Sequence, residues 1–205
     1  MSHSVESVVV QHPVYGFYGK LPAVGDFVQR NLATSTIAAV DAWLQQGMYL
    51  LGQQGQTFQD SYMVSHVGFF VVPAPLWAAQ PVAGFIMPSV DRVGRLFPLV
   101  FLQSVEADQA ADLGALSSEL EHTSSIAITA LQQRLVPDEL YQRLLATAAS
   151  PGTADAVTPL DTGACEAFSM EGTQSLWWRP GDLRDRRVRV FDTADVRSIF
   201  SYLYL

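Results

Sequence analysis

The sequence has little cysteine and little basic charge. Cys165 is the only cysteine among 205 residues, so no disulfide can form within the chain. We expect this thiol to be a small apolar filler, because no histidine lies near it in sequence. The 12 basic residues face 20 acidic ones, which gives a formal net charge of −8. Such a chain repels phosphate backbones and anionic lipid heads, which disfavours nucleic-acid and membrane-surface binding.

The sequence also lacks a long hydrophobic run. Its most apolar stretch, residues 67–72, ends at Pro73 and is far shorter than the roughly 20 residues that span a bilayer. A secretory signal begins with basic residues that are followed by an apolar run, and the start of this sequence has no such pattern. We therefore expect no membrane insertion and a cytoplasmic location, which also fits the absence of disulfides.

What is present is enough apolar material for one folded domain. Hydrophobic residues make up 49% of the chain and charged residues 16%. We predict a flexible N-terminal arm at residues 1–13, a single domain at 14–205 and a surface loop at 150–163. Strands are predicted at 14–18, 82–87, 97–102, 165–170, 176–178 and 188–191, with one or two more within 62–72. Helices are predicted at 34–51, 108–122, 124–135 and 137–149, and residues 195–205 are predicted to form a closing helix or an extended tail.

Because strands come first, then a helical block, then strands again, the chain predicts an α/β fold. We expect a sandwich with a mixed parallel and antiparallel central sheet and helices on both faces. The pair Trp177-Trp178 lies in a predicted strand, where neighbours alternate between faces. We expect one tryptophan inside the core and the other only partly covered.

Two loops concentrate the charges. Residues 16–30 (GFYGKLPAVGDFVQR) and 84–98 (GFIMPSVDRVGRLFP) each begin with an apolar strand and continue into glycines and charged side chains. If the two strands are parallel neighbours, both loops leave from the same end of the sheet, where open α/β sheets bind ligands. The residues concerned are Lys20, Asp26, Arg30, Asp91, Arg92 and Arg95.

These six residues support two interpretations. They can form a recognition surface for a protein or phosphorylated partner, since arginine forks suit carboxylates and phosphates. They can equally form a structural network in which Asp91 and Arg92 pair with Asp26 and Arg30 and hold the loops over the sheet. Sequence alone leaves both open. A third interpretation is a hydrolase that uses Asp26 or Asp91.

Known site patterns are missing. Gly19-Lys20 could end the motif of a phosphate-binding loop, but that motif requires a glycine six positions before the lysine, where Val14 stands. It also requires a serine or threonine after the lysine, and neither follows Lys20. The dinucleotide fingerprint and the Gly-x-Ser-x-Gly elbow are also absent. The four histidines are dispersed, so no metal site is indicated. We expect no catalytic residue, no cofactor, no metal and no small-molecule ligand.

Four stretches resemble one known family. GFYGKLP (16–22) with GDFVQR (25–30), DAWLQQ (41–46), PSVDRVGRLFPL (88–99) and SLWW (175–178) are similar to motifs of the TagF/ImpM family, in the family's order. Val40 stands where the family's second motif has a first tryptophan.

The resemblance implies a three-layer α/β/α sandwich that is associated with the bacterial type VI secretion system. It implies a non-enzymatic regulator that acts post-translationally, in some bacteria as a repressor. The implied partner is the system's forkhead-associated-domain scaffold protein. Some members carry a fused phosphatase domain, but this chain is too short to hold one. A structural assembly factor whose loops only support the fold remains the alternative.

Overall fold

The computed structural model describes residues 15–106, 112–149, 168–170, 172–182 and 187–205. The predicted arm at residues 1–13, the predicted loop at 150–163 and Cys165 lie outside these ranges, and the expectations for them stay predictions. The described part of the chain has no helix that is both long enough and apolar enough to cross a membrane.

Seven strands and five helices make up the described fold. The strands are β1 (Gly16–Lys20), β2 (Phe27–Arg30), β3 (Gly68–Val72), β4 (Val82–Met87), β5 (Leu99–Ser104), β6 (Gln174–Trp178) and β7 (Arg189–Asp192). The helices are α1 (Thr34–Gly52), α2 (Gln56–Tyr62), α3 (Leu113–Gln132), α4 (Pro137–Ala149) and α5 (Val196–Tyr204).

The strands form one sheet in the order β2-β1-β5-β4-β3-β6-β7. The predicted α/β class is confirmed. The predicted mixture of parallel and antiparallel pairs is wrong, because every pair among the described strands is antiparallel. The physical reason is the length of the connections. Most successive strands follow one another after short turns or loops without a crossover helix, and a parallel pair requires such a crossover.

Helices lie on both faces of the sheet. Side chains of α1, α2 and α5 share one buried cluster with alternate strand residues, and those of α3 and α4 share a second cluster with the remaining ones. Trp177 belongs to the first cluster and Trp178 to the second, and both are fully buried. The expectation that one tryptophan would be only partly covered is therefore wrong, since helices cover both faces at this strand.

Two elements were not predicted. Strand β2 lies within the charged segment 16–30, where no strand was predicted after residue 18. It is a short strand at the margin of the sheet, and its pairing with β1 cannot be read from its composition. Helix α2 occupies residues that precede the predicted strand region at 62–72, of which only 68–72 is a strand. Phe168–Met170, predicted as the end of a strand, are not in a strand.

Helix α3 is continuous, whereas a break was expected near residue 123. Its hydroxyl side chains bond back to the preceding turn: Ser124 Oγ donates to the Glu121 carbonyl at 2.9 Å and Ser125 Oγ to the His122 carbonyl at 2.7 Å. Such bonds satisfy hydroxyls inside a helix. A serine- and threonine-rich segment can therefore continue the helix instead of interrupting it.

Candidate functional site

The two charged loops meet at one end of the sheet. Strands β1 and β4 are not neighbours; both pair antiparallel with β5, which lies between them. They consequently run in the same direction and end on the same side. The loop after β1 and the loop after β4 therefore leave together, as expected, although the assumed direct parallel pairing is wrong.

A buried carboxylate joins the loops. One oxygen of Asp91 accepts hydrogen bonds from Lys20 Nζ at 2.8 Å and from Arg95 Nε at 2.6 Å. The other accepts from the backbone N–H of Val93 at 3.0 Å and of Arg95 at 2.9 Å. The side chain of Asp91 is fully buried and that of Lys20 nearly so. The carboxylate is thus saturated by donors from both loops.

This arrangement keeps Asp91 ionised. Burial by itself would raise the pKa of the Asp91 carboxyl, but hydrogen bonds from Lys20 and from the backbone and side chain of Arg95, with a further one from the Val93 N–H, hold that pKa well below its ordinary value. A buried carboxylate remains charged only when it is paired and hydrogen-bonded in this way.

Further hydrogen bonds tie the loops to each other. The Arg95 guanidinium donates through Nη2 to the Gly25 carbonyl at 2.6 Å, and the Arg92 backbone N–H donates to the Val24 carbonyl at 2.8 Å. Ser89 Oγ donates to the Lys20 carbonyl at 2.7 Å. Hydrogen bonds therefore hold the two loops together as one unit.

Glycine at position 19 lets the loops approach. Its φ is +141°, and a Cβ there would overlap the Pro98 carbonyl oxygen at the end of the second loop. Only glycine accepts both this conformation and this contact without strain. The glycine before Lys20 is thus a requirement of loop packing.

An aromatic cluster lies beside Lys20, the buried partner of Asp91. The ring of Phe27 stacks on Tyr18 with centroids 5.7 Å apart and meets Phe97 edge-on at 4.8 Å. Lys20 Nζ lies 5.1 Å from the Phe27 ring centroid, within cation–π range. Tyr18 donates its hydroxyl to Asp41 of α1 at 2.6 Å. Phe27 nevertheless remains 48% exposed.

The six predicted residues divide into three groups. Lys20, Asp91 and Arg95 form the network that joins the loops. Asp26 and Arg92 are exposed, and neither has an ion-pair partner within the described ranges. Arg30 lies apart and pairs with Asp138 of α4 at 2.8 Å. The predicted pairing of Asp91 and Arg92 with Asp26 and Arg30 is therefore wrong, because the registers of β1 and β4 along β5 bring Lys20 beside Asp91 instead.

Residues 16–147 match the model of the TagF N-terminal domain, Type VI secretion system-associated. The chain belongs to this family. It is therefore a protein associated with the type VI secretion system, as the sequence motifs implied.

A solved structure agrees with this assignment. The crystal structure of PA0076 from Pseudomonas aeruginosa PAO1 is similar to the chain with a TM-score of 0.70 and 28% sequence identity. The similarity covers 93% of this chain and 94% of that one. No curated protein matches the sequence.

The TagF match ends before the last part of the sheet. Strands β6 and β7 and helix α5 follow residue 147, yet β6 pairs with β3 inside the matched region. Phe200 of α5 packs against Trp43 of α1 with ring centroids 4.8 Å apart. The matched region and the later elements thus share one core.

The outward side of the two loops carries residues that sequence reasoning did not single out. Phe27 is 48% exposed and Val93 is 69% exposed, and they lie beside the exposed Asp26 and Arg92 in sequence. We call these four residues the outer platform. Exposed apolar side chains that form a contiguous patch are typical of a binding surface. The sequence does not reveal that Phe27 and Val93 are exposed, because other apolar residues of the same two loops are buried.

The geometry gives Asp91 a structural role. A general base or acid requires a carboxyl that can exchange protons with a substrate near neutral pH. Asp91 has a lowered pKa, is enclosed and already accepts four hydrogen bonds. Clefts of about 430 and 450 Å³ lie elsewhere, beside α4 and beside the start of α1. Within the described ranges, no cluster of His, Cys, Asp or Glu could hold a metal ion.

Proposed function

We propose that this chain is a non-enzymatic, cytoplasmic regulator of the type VI secretion system that acts after translation by binding another component. Its contact surface is the outer platform, and its partner is the forkhead-associated-domain scaffold protein of the same system. Binding represses assembly or firing. The family membership supports the association with secretion. The exposure of the outer platform, on loops that are held together by hydrogen bonds, supports the binding role.

The proposal rests mainly on one observation: some charged residues of the two loops form a buried network, while others are exposed at the surface. Lys20 and Asp91 are buried, and the Arg95 side chain, although 63% exposed, donates to Asp91 and so helps to fix the backbone. Arg92 and Val93, in the same turn, are exposed. A surface that is already rigid loses little conformational entropy on binding, which favours affinity. The network is therefore the support of the site, and the platform is the site itself.

The chemistry of the platform suits a protein partner. Phe27 and Val93 offer apolar area, and Arg92 offers a guanidinium that can hold a carboxylate or phosphate with two hydrogen bonds. Arginine and aromatic residues dominate the energetics of protein interfaces. A partner with an acidic or phosphorylated patch around an apolar contact would match this surface.

A secretion assay tests the proposal in the native bacterium. Overproduced wild type should reduce type VI secretion into the medium. The double variant Arg92→Glu/Val93→Ser should accumulate normally and leave secretion high. Arg143→Glu, the same charge change on an exposed position of α4, should repress like wild type. If the double variant represses fully, the platform is not the contact surface. If wild type has no effect, the repressor role is wrong.

The burial of Lys20 and Asp91 favours a second candidate, a structural assembly factor in which the loops only support the fold. In that case every loop substitution that impairs function should also lower the melting temperature. A variant that loses repression but melts like wild type would exclude this candidate.

A further inference from the structure

The margin of the sheet at β7 offers a second, different surface. β7 is the last strand in the sheet order and pairs only with β6 among the described strands. The opposite margin differs, because Arg30 of β2 is joined to Asp138 of α4. An open strand carries unpaired backbone donors and acceptors and can accept a further strand.

The register identifies which backbone groups point outward. The Thr193 N–H donates to the Thr173 carbonyl at 2.8 Å, so residues 173 and 193 form a hydrogen-bonded pair. In an antiparallel ladder such pairs alternate, which makes Ser175↔Phe191 and Trp177↔Arg189 the next bonded pairs. Val190, between them, directs its N–H and carbonyl away from β6. It is 36% exposed.

The two faces of β7 differ in chemistry. Phe191 contacts Tyr202 of α5 with ring centroids 5.8 Å apart, so Arg189, two positions earlier, lies on that same face. Arg189 is exposed and has no ion-pair partner within the described ranges. Val188 and Val190 belong to the other face, where Val188 packs against the core. The start of β7 is thus basic on the face of Arg189 and apolar on the face of Val188 and Val190, and the exposed Asp192 lies at the far end of that second face.

The sequence that leads into β7 is basic, whereas the chain as a whole is acidic. Residues 179–189 (RPGDLRDRRVR) contain five of the 12 basic residues and two acidic ones, against a net charge of −8 for the whole chain. The segment lies beyond residues 16–147, which match the family. Within the described ranges, the exposed Arg189 on β7 favours an acidic partner over a basic one.

We propose that β7 binds an extended acidic segment of a partner protein as an eighth strand. The backbone of the segment pairs with Val190. Its acidic side chains face Arg189, and apolar side chains alternate with them on the face of Val190. Main-chain hydrogen bonds supply affinity, and the alternation supplies specificity.

The probe is a peptide of eight residues in which valine alternates with glutamate, followed by fluorescence anisotropy at low salt. It should bind wild type, while a valine–lysine peptide of the same length should not. Methylation of the glutamate peptide's backbone nitrogens should abolish binding. Slower hydrogen exchange at the Val190 amide in the complex would place the peptide on β7.

Variants separate the margin from general electrostatics. Arg189→Glu and Val190→Pro should each weaken binding by about tenfold or more, because each removes one charge-assisted or main-chain contact. Proline is tolerated at an outward-facing position of an open strand, so the second variant should still fold. Arg197→Glu, on an exposed position of α5, should change binding little.

Several results would overturn the proposal. The first is that the valine–glutamate peptide does not bind wild type. The second is that the methylated peptide or the valine–lysine peptide binds as well as the valine–glutamate peptide. The third is that the Val190→Pro variant folds and binds the valine–glutamate peptide as wild type does. If the free chain dimerises in ultracentrifugation and Val190→Pro makes it monomeric, the margin binds a second copy instead. The outer platform plays no part here: Arg92→Glu should bind the peptide normally, so this proposal and the regulatory one can fail separately.

Discussion

At the scale of single residues, one aspartate organises the candidate site. Asp91 accepts hydrogen bonds from Lys20, the only lysine of the chain, and from Arg95, and so joins the ends of β1 and β4. Asp26, in the first of the same two loops, is exposed and has no hydrogen bond within the described ranges. Two aspartates from the same pair of motifs thus have opposite roles, one in support and one at the surface.

Replacing Asp91 by asparagine should lower the melting temperature at neutral pH, because the buried Lys20 then lacks its counter-charge. The pKa of Asp91 is lowered in the folded state, so its stabilising effect is complete above the unfolded value of about 3.9 and is lost as the pH falls below it. The difference in melting temperature between wild type and Asp91→Asn should therefore shrink below about pH 4. Thermal melts from pH 7 to pH 2.5 would measure it.

Asp26→Asn is the matched control and should melt like wild type throughout this range. A gap between wild type and Asp91→Asn that stays constant down to the lowest pH would contradict the role given to the ionised carboxylate. So would an Asp26→Asn variant that is as unstable as Asp91→Asn.

The sequence could single out six charged residues in the two loops but not which of them pair and which are exposed. The identity of a charged residue does not show whether its side chain is buried or exposed. Which ion pairs form depends on the register of β1, β5 and β4. That register follows from packing across the whole sheet. The sequence motifs therefore located the two loops correctly, while the pairing of Asp91 with Lys20 required the structure.

At the scale of elements, strong apolar patterns predicted well. β4 was predicted at its observed limits and α4 likewise, because an uninterrupted apolar run and a proline at a helix start are strong local signals. β2 and α2 were missed. Both are short, and their stability comes from contacts with β1 and with the core, which single-segment patterns do not contain.

The tryptophan pair provides a test at this scale. Trp177 and Trp178 lie on opposite faces of β6, both fully buried, with indole nitrogens that donate to Ser175 and Ser117. Each Trp→Ala substitution should lower the free energy of unfolding by about 3–5 kcal/mol, because each opens a cavity in a covered core. Urea unfolding would measure both variants.

Tyr49→Ala serves as the control for this comparison. Tyr49 is 69% exposed on α1, and its loss should change the free energy of unfolding by no more than about 0.5 kcal/mol. A small loss for one tryptophan and a large loss for the other would contradict the two-sided covering of β6. It would instead support the arrangement that strand alternation alone suggested.

At the scale of the whole molecule, the two motif loops and the last strands belong to one sheet. β6 extends the sheet from β3, and α5 packs on α1, so the elements after the family match complete a core that begins within it. This sheet presents the outer platform at the end of its strands and the basic margin of β7 at its side. One fold therefore holds the two surfaces that we propose to bind partners, and they differ in chemistry.

The most direct test of the central claim is calorimetric titration of the chain with the forkhead-associated-domain protein of its own secretion cluster. Wild type and Arg92→Ala would be compared, with a melting curve for each. Arg92 is exposed and takes no part in the buried network, so we expect Arg92→Ala to melt like wild type and to bind much more weakly. Equal binding by the two proteins, or no binding by wild type, would contradict the claim that the outer platform binds this partner.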